Sequence, residues 1–196
     1  MLSDLIHPAI AAPRTPPSRS LLSALIVGTA MALAAISAGC QSAHVSNYVT
    51  TQFSGDDADD QLNFWHELAT RRLTSNDDAF HGLLLDIDGS DKSADYAQRV
   101  QTLKSRGLLP GSFAQPPDMA IERGTLALAI VKQLHLRGGW EMHVFGVSPR
   151  YAVKELVYAG IFPPSSPQQT FSGSEFVGII GKLDDMQPVA SNTPAQ

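Results

Sequence analysis

Residues 121–134 read Ile121-Glu122-Arg123-Gly124-Thr125-Leu126-Ala127-Leu128-Ala129-Ile130-Val131-Lys132-Gln133-Leu134. Leu126, Ala127, Ile130, Val131 and Leu134 are spaced by threes and fours. That is close to the 3.6-residue helical period, so the stretch predicts an amphipathic helix with one apolar face. The same steps recur in Leu62, Trp65, Leu68, Ala69 and Leu73, in Tyr96, Val100 and Leu103, in Ala152, Val153, Leu156 and Val157, and in Phe176, Val177, Ile180 and Leu183. Five or six short helices follow, which makes the domain mainly α. End signals agree with this spacing. Ser148 can cap a helix opening on Pro149, and Gly160 can stop it. Thr74 or Ser75 can cap a helix whose positive end favours Asp77 and Asp78, and Asp95 can cap the next. Only residues 140–147, where Trp140, Met142 and Val144 alternate with Glu141, His143 and Phe145, fit a short edge strand as well as an irregular turn.

A weak internal repeat organises these helices. Ser75-Asn76-Asp77-Asp78-Ala79-Phe80, Ile121-Glu122-Arg123-Gly124-Thr125-Leu126 and Phe171-Ser172-Gly173-Ser174-Glu175-Phe176 each precede an apolar helix. Upstream of the last two, Tyr96-Ala97 runs to Gly107-Leu108-Leu109-Pro110 and Tyr151-Ala152 runs to Gly160-Ile161-Phe162-Pro163. The unit is thus helix, glycine stop, apolar-proline loop and second helix, with a pseudo-threefold period.

Across about residues 74–183 this pattern resembles the S-layer homology domain, whose second helix opens on Thr-Arg-Ala-Glu-Phe. The resemblance implies three repeats around a pseudo-threefold axis and a surface that docks cell-wall glycan. On the matching positions it implies Arg123 and Glu175 as glycan-binding residues. The chain departs from that motif at Gly173 and Asp77, where arginine is expected, and at Thr125, where glutamate is expected.

The amino-terminal part carries a different signal. Arg14 and Arg19 precede an uncharged apolar stretch over residues 21–39, and small residues lead into Cys40. Positive, then apolar, then small is the order of a secretory leader. The stretch is also long enough to span a bilayer at ~20 residues, which leaves an uncleaved anchor as the competing reading. Ile36-Ser37-Ala38-Gly39-Cys40 resembles the lipobox of bacterial lipoproteins, with Ser37 in place of the usual leucine. That resemblance implies removal of residues 1–39 and attachment of diacylglycerol and fatty acyl chains such as palmitate to Cys40. Gln41 in place of aspartate implies, by resemblance to lipoprotein sorting, an outer-membrane destination in a host that has one. Cys40 is the only cysteine, so no internal disulfide is available.

The 196 residues suffice for one ordinary domain with extensions, since a single core usually serves roughly 100 to 200 residues. The sequence divides into a signal peptide over 1–39, a flexible tether over 40–57, where polar residues bury too little to offset chain entropy, a helical domain over 58–185 and a loose tail over 186–196. Net charge is −5, and because Arg14, Arg19 and Asp4 fall in the leader the exported part is the more acidic. An acidic domain lacks the basic face that displaces counterions from nucleic acid.

No catalytic centre, metal site or cofactor is expected. His66-Glu67 begins like a zinc-protease helix, but Thr70 stands where the second imidazole is needed. Asp86, Asp88 and Asp91 have the alternation of a calcium loop, yet Ala97 occupies the position of its bidentate glutamate. No nucleophile elbow or phosphate loop is present. These readings converge on a non-enzymatic, lipid-anchored cell-envelope protein. Its partners are a membrane, through covalent lipid, and cell-wall polysaccharide, peptidoglycan or another envelope protein. The alternatives are a structural partner subunit and an enzyme using Glu141 with His143 beside Trp140.

Overall fold

The computed structural model describes residues 42–136 and 148–186. The domain is mainly α, with six helices among the described residues: α1 (Ala58–Thr70), α2 (Asn76–Asp88), α3 (Tyr96–Ser105), α4 (Arg123–Gln133), α5 (Pro149–Tyr158) and α6 (Gly173–Met186). Among the described residues, strand pairing is confined to three isolated antiparallel bridges, and no helix is long and apolar enough to cross a membrane. The possible strand over 140–147 lies outside the described residues.

Local signals place the ends. Asp57, Ser75 and Asp95 accept the amides of Asp60, Asp78 and Gln98 at 2.9, 3.0 and 2.9 Å, and Ser148 accepts that of Tyr151 at 3.4 Å. Each bond satisfies one donor that a helix start leaves orphaned. At α6 the cap is reciprocal: Glu175 N–H donates to Ser172 Oγ, and Ser172 N–H donates to Glu175 Oε2. Gly107 and Gly160, at φ 72° and 76°, turn the chain after α3 and α5.

Packing runs between successive units. α2 lies against α3, α4 against α5, and α6 returns to α1. The core contains Phe64, Phe80, Phe171, Phe176, Leu83, Leu103, Ile121, Leu126, Ile130 and Leu156, all fully buried. Each buried aromatic of this kind contributes about 2–3 kcal/mol. α2 is covered on every side over residues 76–85, which makes it the central helix. α1 is rotated from its predicted face. Phe64 and Leu68 point inward, while Leu62 is 68% exposed, because α1 meets α6 and not a second apolar stripe of its own unit.

The three helix openings join in a ring. Asn76 and Asp77, the first two residues of α2, donate their amides to the carbonyls of Met119 and Pro117 (2.8 and 3.2 Å) in the loop that enters α4. Arg123 and Gly124, the first two of α4, donate to Gln169 and Pro167 (2.7 and 2.8 Å) in the loop that enters α6. Gly173, the first of α6, donates to Arg71 (2.9 Å) in the loop that enters α2.

The expected tether needs correction within residues 42–57. Val49 is fully buried and Thr50 nearly so, in a short 3-10 turn over Val49–Thr51. Thr50 donates from its amide to Asp78 Oδ1 (2.9 Å) and from its hydroxyl to Asp77 Oδ2 (2.8 Å). Ala43 accepts the Ala120 amide at 2.8 Å, and Val45 donates to the Asp118 carbonyl at 2.7 Å. The segment is polar because it satisfies buried carboxylates and loop backbone, which composition alone reads as solvation.

Gly173 explains one departure from the repeat motif. A Cβ there would stand 1.6 Å from the Leu68 carbonyl oxygen, so no side chain fits while α6 opens against the end of α1. Gly173→Ala is expected to cost about 3 kcal/mol or more through this overlap. Gly178→Ala, facing open space on the same helix, should be neutral or stabilising by about 0.5–1 kcal/mol. Urea denaturation of the two variants measures the contrast.

Candidate functional site

The two residues assigned to glycan by resemblance touch each other. Arg123 Nη2 donates to Glu175 Oε1 at 2.8 Å, its Nε donates to the Thr170 carbonyl at 3.2 Å, and the guanidinium lies 4.5 Å from the Phe171 ring centroid. Arg123 is 5% exposed, and its Nη1 is buried without a partner among the described residues. Glu175 is held below the ordinary carboxylate range, first by the Ser172 amide and then by Arg123. The pair therefore fastens the α4 opening to the α6 opening. So covered a guanidinium is closed to a sugar in this structure.

A second buried cluster lies between α2, α3 and the segment over 48–56. Arg99 donates from Nη1 to Asp77 Oδ1 (2.7 Å) and from Nε to Asp91 Oδ2, and His81 Nδ1 meets the same Asp91 oxygen at 2.7 Å. Asp91 Oδ1 accepts the Ser93 amide (3.0 Å), and the Asp91 amide donates to Asp56 (2.8 Å). Burial alone would raise the Asp91 carboxyl, but the bonds from His81 and Arg99 outweigh it and hold the group far below its usual range. His81 Nε2 has no partner among the described residues, and its ring stands edge-on to Phe64 at 4.6 Å. Burial pushes Asp78 up instead: its Oδ1 accepts from Thr50, while Oδ2 is unpaired. Sequence reasoning missed Arg99, although a signal was present in a charged residue on the Tyr96, Val100, Leu103 stripe.

The calcium-like loop does not converge. Asp88 is forked by Arg106 (3.0 and 2.7 Å), Asp91 belongs to the Arg99 cluster, and Asp86 faces Asp184 across α2 and α6. Among the described residues no group of three His, Cys, Asp or Glu is placed to hold a metal. His66 is exposed on α1, and Glu67 is paired with Arg71 at 2.8 Å. Trp140, Glu141 and His143 lie outside the described residues, as does Cys40.

A groove of about 730 Å³ lies between α5 and residues 164–168. Arg150, Val153, Val157, Tyr158, Pro164 and Pro167 line it, and Tyr158 is 92% exposed. A smaller polar depression of about 520 Å³ is bordered by Lys92, Gln98, Thr102 and the Asp88–Arg106 pair. A third, of about 300 Å³, holds Asp86 and Asp184 beside Trp65 and Gln61. In comparisons with known proteins, the chain matches no protein-family model and no curated protein.

Arg123→Ala is expected to destabilise the domain by about 2–3 kcal/mol, less than a wholly buried pair because Glu175 is half exposed. Arg123→Lys should recover only part, since an ammonium cannot reproduce the fork; chemical denaturation reads both. Asp86 is pushed up to about 7, first by burial and then by Asp184. The folded state therefore holds a proton that the unfolded chain releases near the ordinary carboxylate pKa, so this contribution is complete below that value and lost as pH rises through about 7. Asp86→Asn should flatten that part of the stability profile, read as the midpoint difference from the parent between pH ~4 and ~8.

Proposed function

We propose that the chain is a non-enzymatic lipoprotein of the bacterial cell envelope, anchored through acylated Cys40, whose helical domain docks on anionic cell-wall glycan. The anchoring rests on the leader and the lipobox resemblance over residues 36–40. The ring of three helix openings supports the likeness to the S-layer homology domain, since each opening plays the same structural part.

The observation that carries the docking reading is the groove beside α5. An aromatic ring as exposed as Tyr158 can cover the apolar face of a sugar, and Arg150, exposed at the same groove, can fork a carboxylate or phosphate. Pro164 and Pro167 stiffen the wall opposite, which reduces the ordering cost of binding. Arg123, beneath the surface, and the half-exposed Glu175 then serve to hold the repeat openings together, and the contact falls to the groove residues.

The mature acylated protein in mild detergent is expected to co-sediment with purified wall sacculi. Tyr158→Ala combined with Arg150→Ala should reduce the bound fraction severalfold while leaving the denaturation midpoint near the parent value. Sedimentation no higher than that of an unrelated acidic protein at moderate salt overturns wall docking.

A further inference from the structure

We infer that the face formed by residues 42–47 and 70–73 is the membrane-facing side of the domain and contacts anionic phospholipid headgroups. The inference deepens the lipoprotein reading and rests on it. Anchoring through a long flexible linker would leave the domain free to tumble, with no preferred face. The described structure allows little such freedom.

Ser42 begins a strap that is already part of the domain. Ala43 accepts the amide of Ala120, Val45 donates to the carbonyl of Asp118, and His44 Nδ1 meets Asp118 Oδ2 at 2.9 Å. Further along, Val49 is buried and Thr50 is bonded to both Asp77 and Asp78. Only Gln41 separates Ser42 from Cys40. Two covalent steps reach at most about 7 Å, whatever the backbone does there. An acylated Cys40 whose chains enter the bilayer thus brings Ser42 and its neighbours to headgroup level.

The chemistry of this face suits that position. His44, Val45, Ser46, Asn47, Arg71 and Arg72 line a shallow depression of about 410 Å³. Arg71 is paired with Glu67 and His44 with Asp118, whereas Arg72 is exposed and has no partner among the described residues. One uncompensated guanidinium beside a paired one fits the phosphate of an anionic lipid better than neutral solvent. Ser105 closes α3 next to Arg106, which pairs with Asp88 at the end of α2 away from the opening that meets Met119 and Pro117. Lys132, near the far end of α4, donates to the Gly107 carbonyl at 2.6 Å.

The test uses the full-length lipoprotein, processed in cells and reconstituted into phosphatidylethanolamine–phosphatidylglycerol vesicles. Cys40 supplies the only native sulfhydryl, so a fluorophore placed by Ser46→Cys or Ser105→Cys labels one site once acylation has consumed the native thiol. A nitroxide on the lipid headgroup is expected to quench the label at 46 severalfold more than the label at 105. A long Gly-Ser insert between Gln41 and Ser42 should narrow the difference between the two signals while leaving part of it. Replacing phosphatidylglycerol with phosphatidylcholine, or Arg72→Ala in the insert-bearing protein, should remove whatever preference persists there. Equal quenching at 46 and 105 in a protein whose mass carries the acyl chains overturns the inference and leaves the anchor standing. Absence of acyl mass on Cys40 overturns the lipoprotein reading itself. A preference insensitive to both lipid charge and Arg72 overturns the headgroup contact.

Discussion

The fold depends on a set of backbone hydrogen bonds that each helix opening makes to the loop entering the next one. The first amides of a helix have no acceptor within it, and burying them unpaired would cost a few kcal/mol each. Here α2 gives them to Met119 and Pro117, α4 to Gln169 and Pro167, and α6 to Arg71. The donors, all on buried residues, are thereby satisfied within the chain. Because every opening both donates to one neighbour and receives from another, the three units hold one another in place.

Side chains reinforce that ring unevenly. Between α4 and α6 the bond is ionic, with Arg123 over Phe171 and joined through Nη2 to Glu175. Between α6 and α1 it is steric: Gly173 lets the backbone approach the Leu68 carbonyl. Around α2 it is a network in which Arg99 neutralises Asp77 and Asp91, and Thr50 from the amino-terminal strap donates to Asp77 and Asp78. Removing one member of such a buried cluster leaves an uncompensated charge, typically a loss of about 3–5 kcal/mol. Asp77, Asp91, Arg99 and Arg123, the charged residues the fold buries most, are thereby occupied within its own architecture.

Much of this was legible residue by residue. Ser75, Asp95 and Ser148 cap where short polar side chains precede apolar periodicity, and Gly107 and Gly160 stop helices where φ turns positive. Capping and periodicity depend on neighbours within one turn, so they survive in a linear reading. The equivalence of Lys132 and Lys182 was missed. Each donates to the carbonyl of a repeat glycine, Gly107 and Gly160, more than twenty residues upstream. A lone lysine near a helix end reads as a solvated charge until the partner's position is known.

The sequence by itself determined the helical class, the approximate helix limits and the repeat of three openings, because those follow from local spacing and backbone preference. It also carries the linear order of Arg14, Arg19, an apolar stretch and Cys40 on which the proposed leader and anchor rest. Only the tertiary structure decided that α6 closes against α1, that residues 42–51 belong to the domain, and that Arg123 faces inward while Tyr158 faces out. These outcomes depend on which distant carbonyl, carboxylate or ring meets each group, and burial is a property of that meeting and not of the residue type.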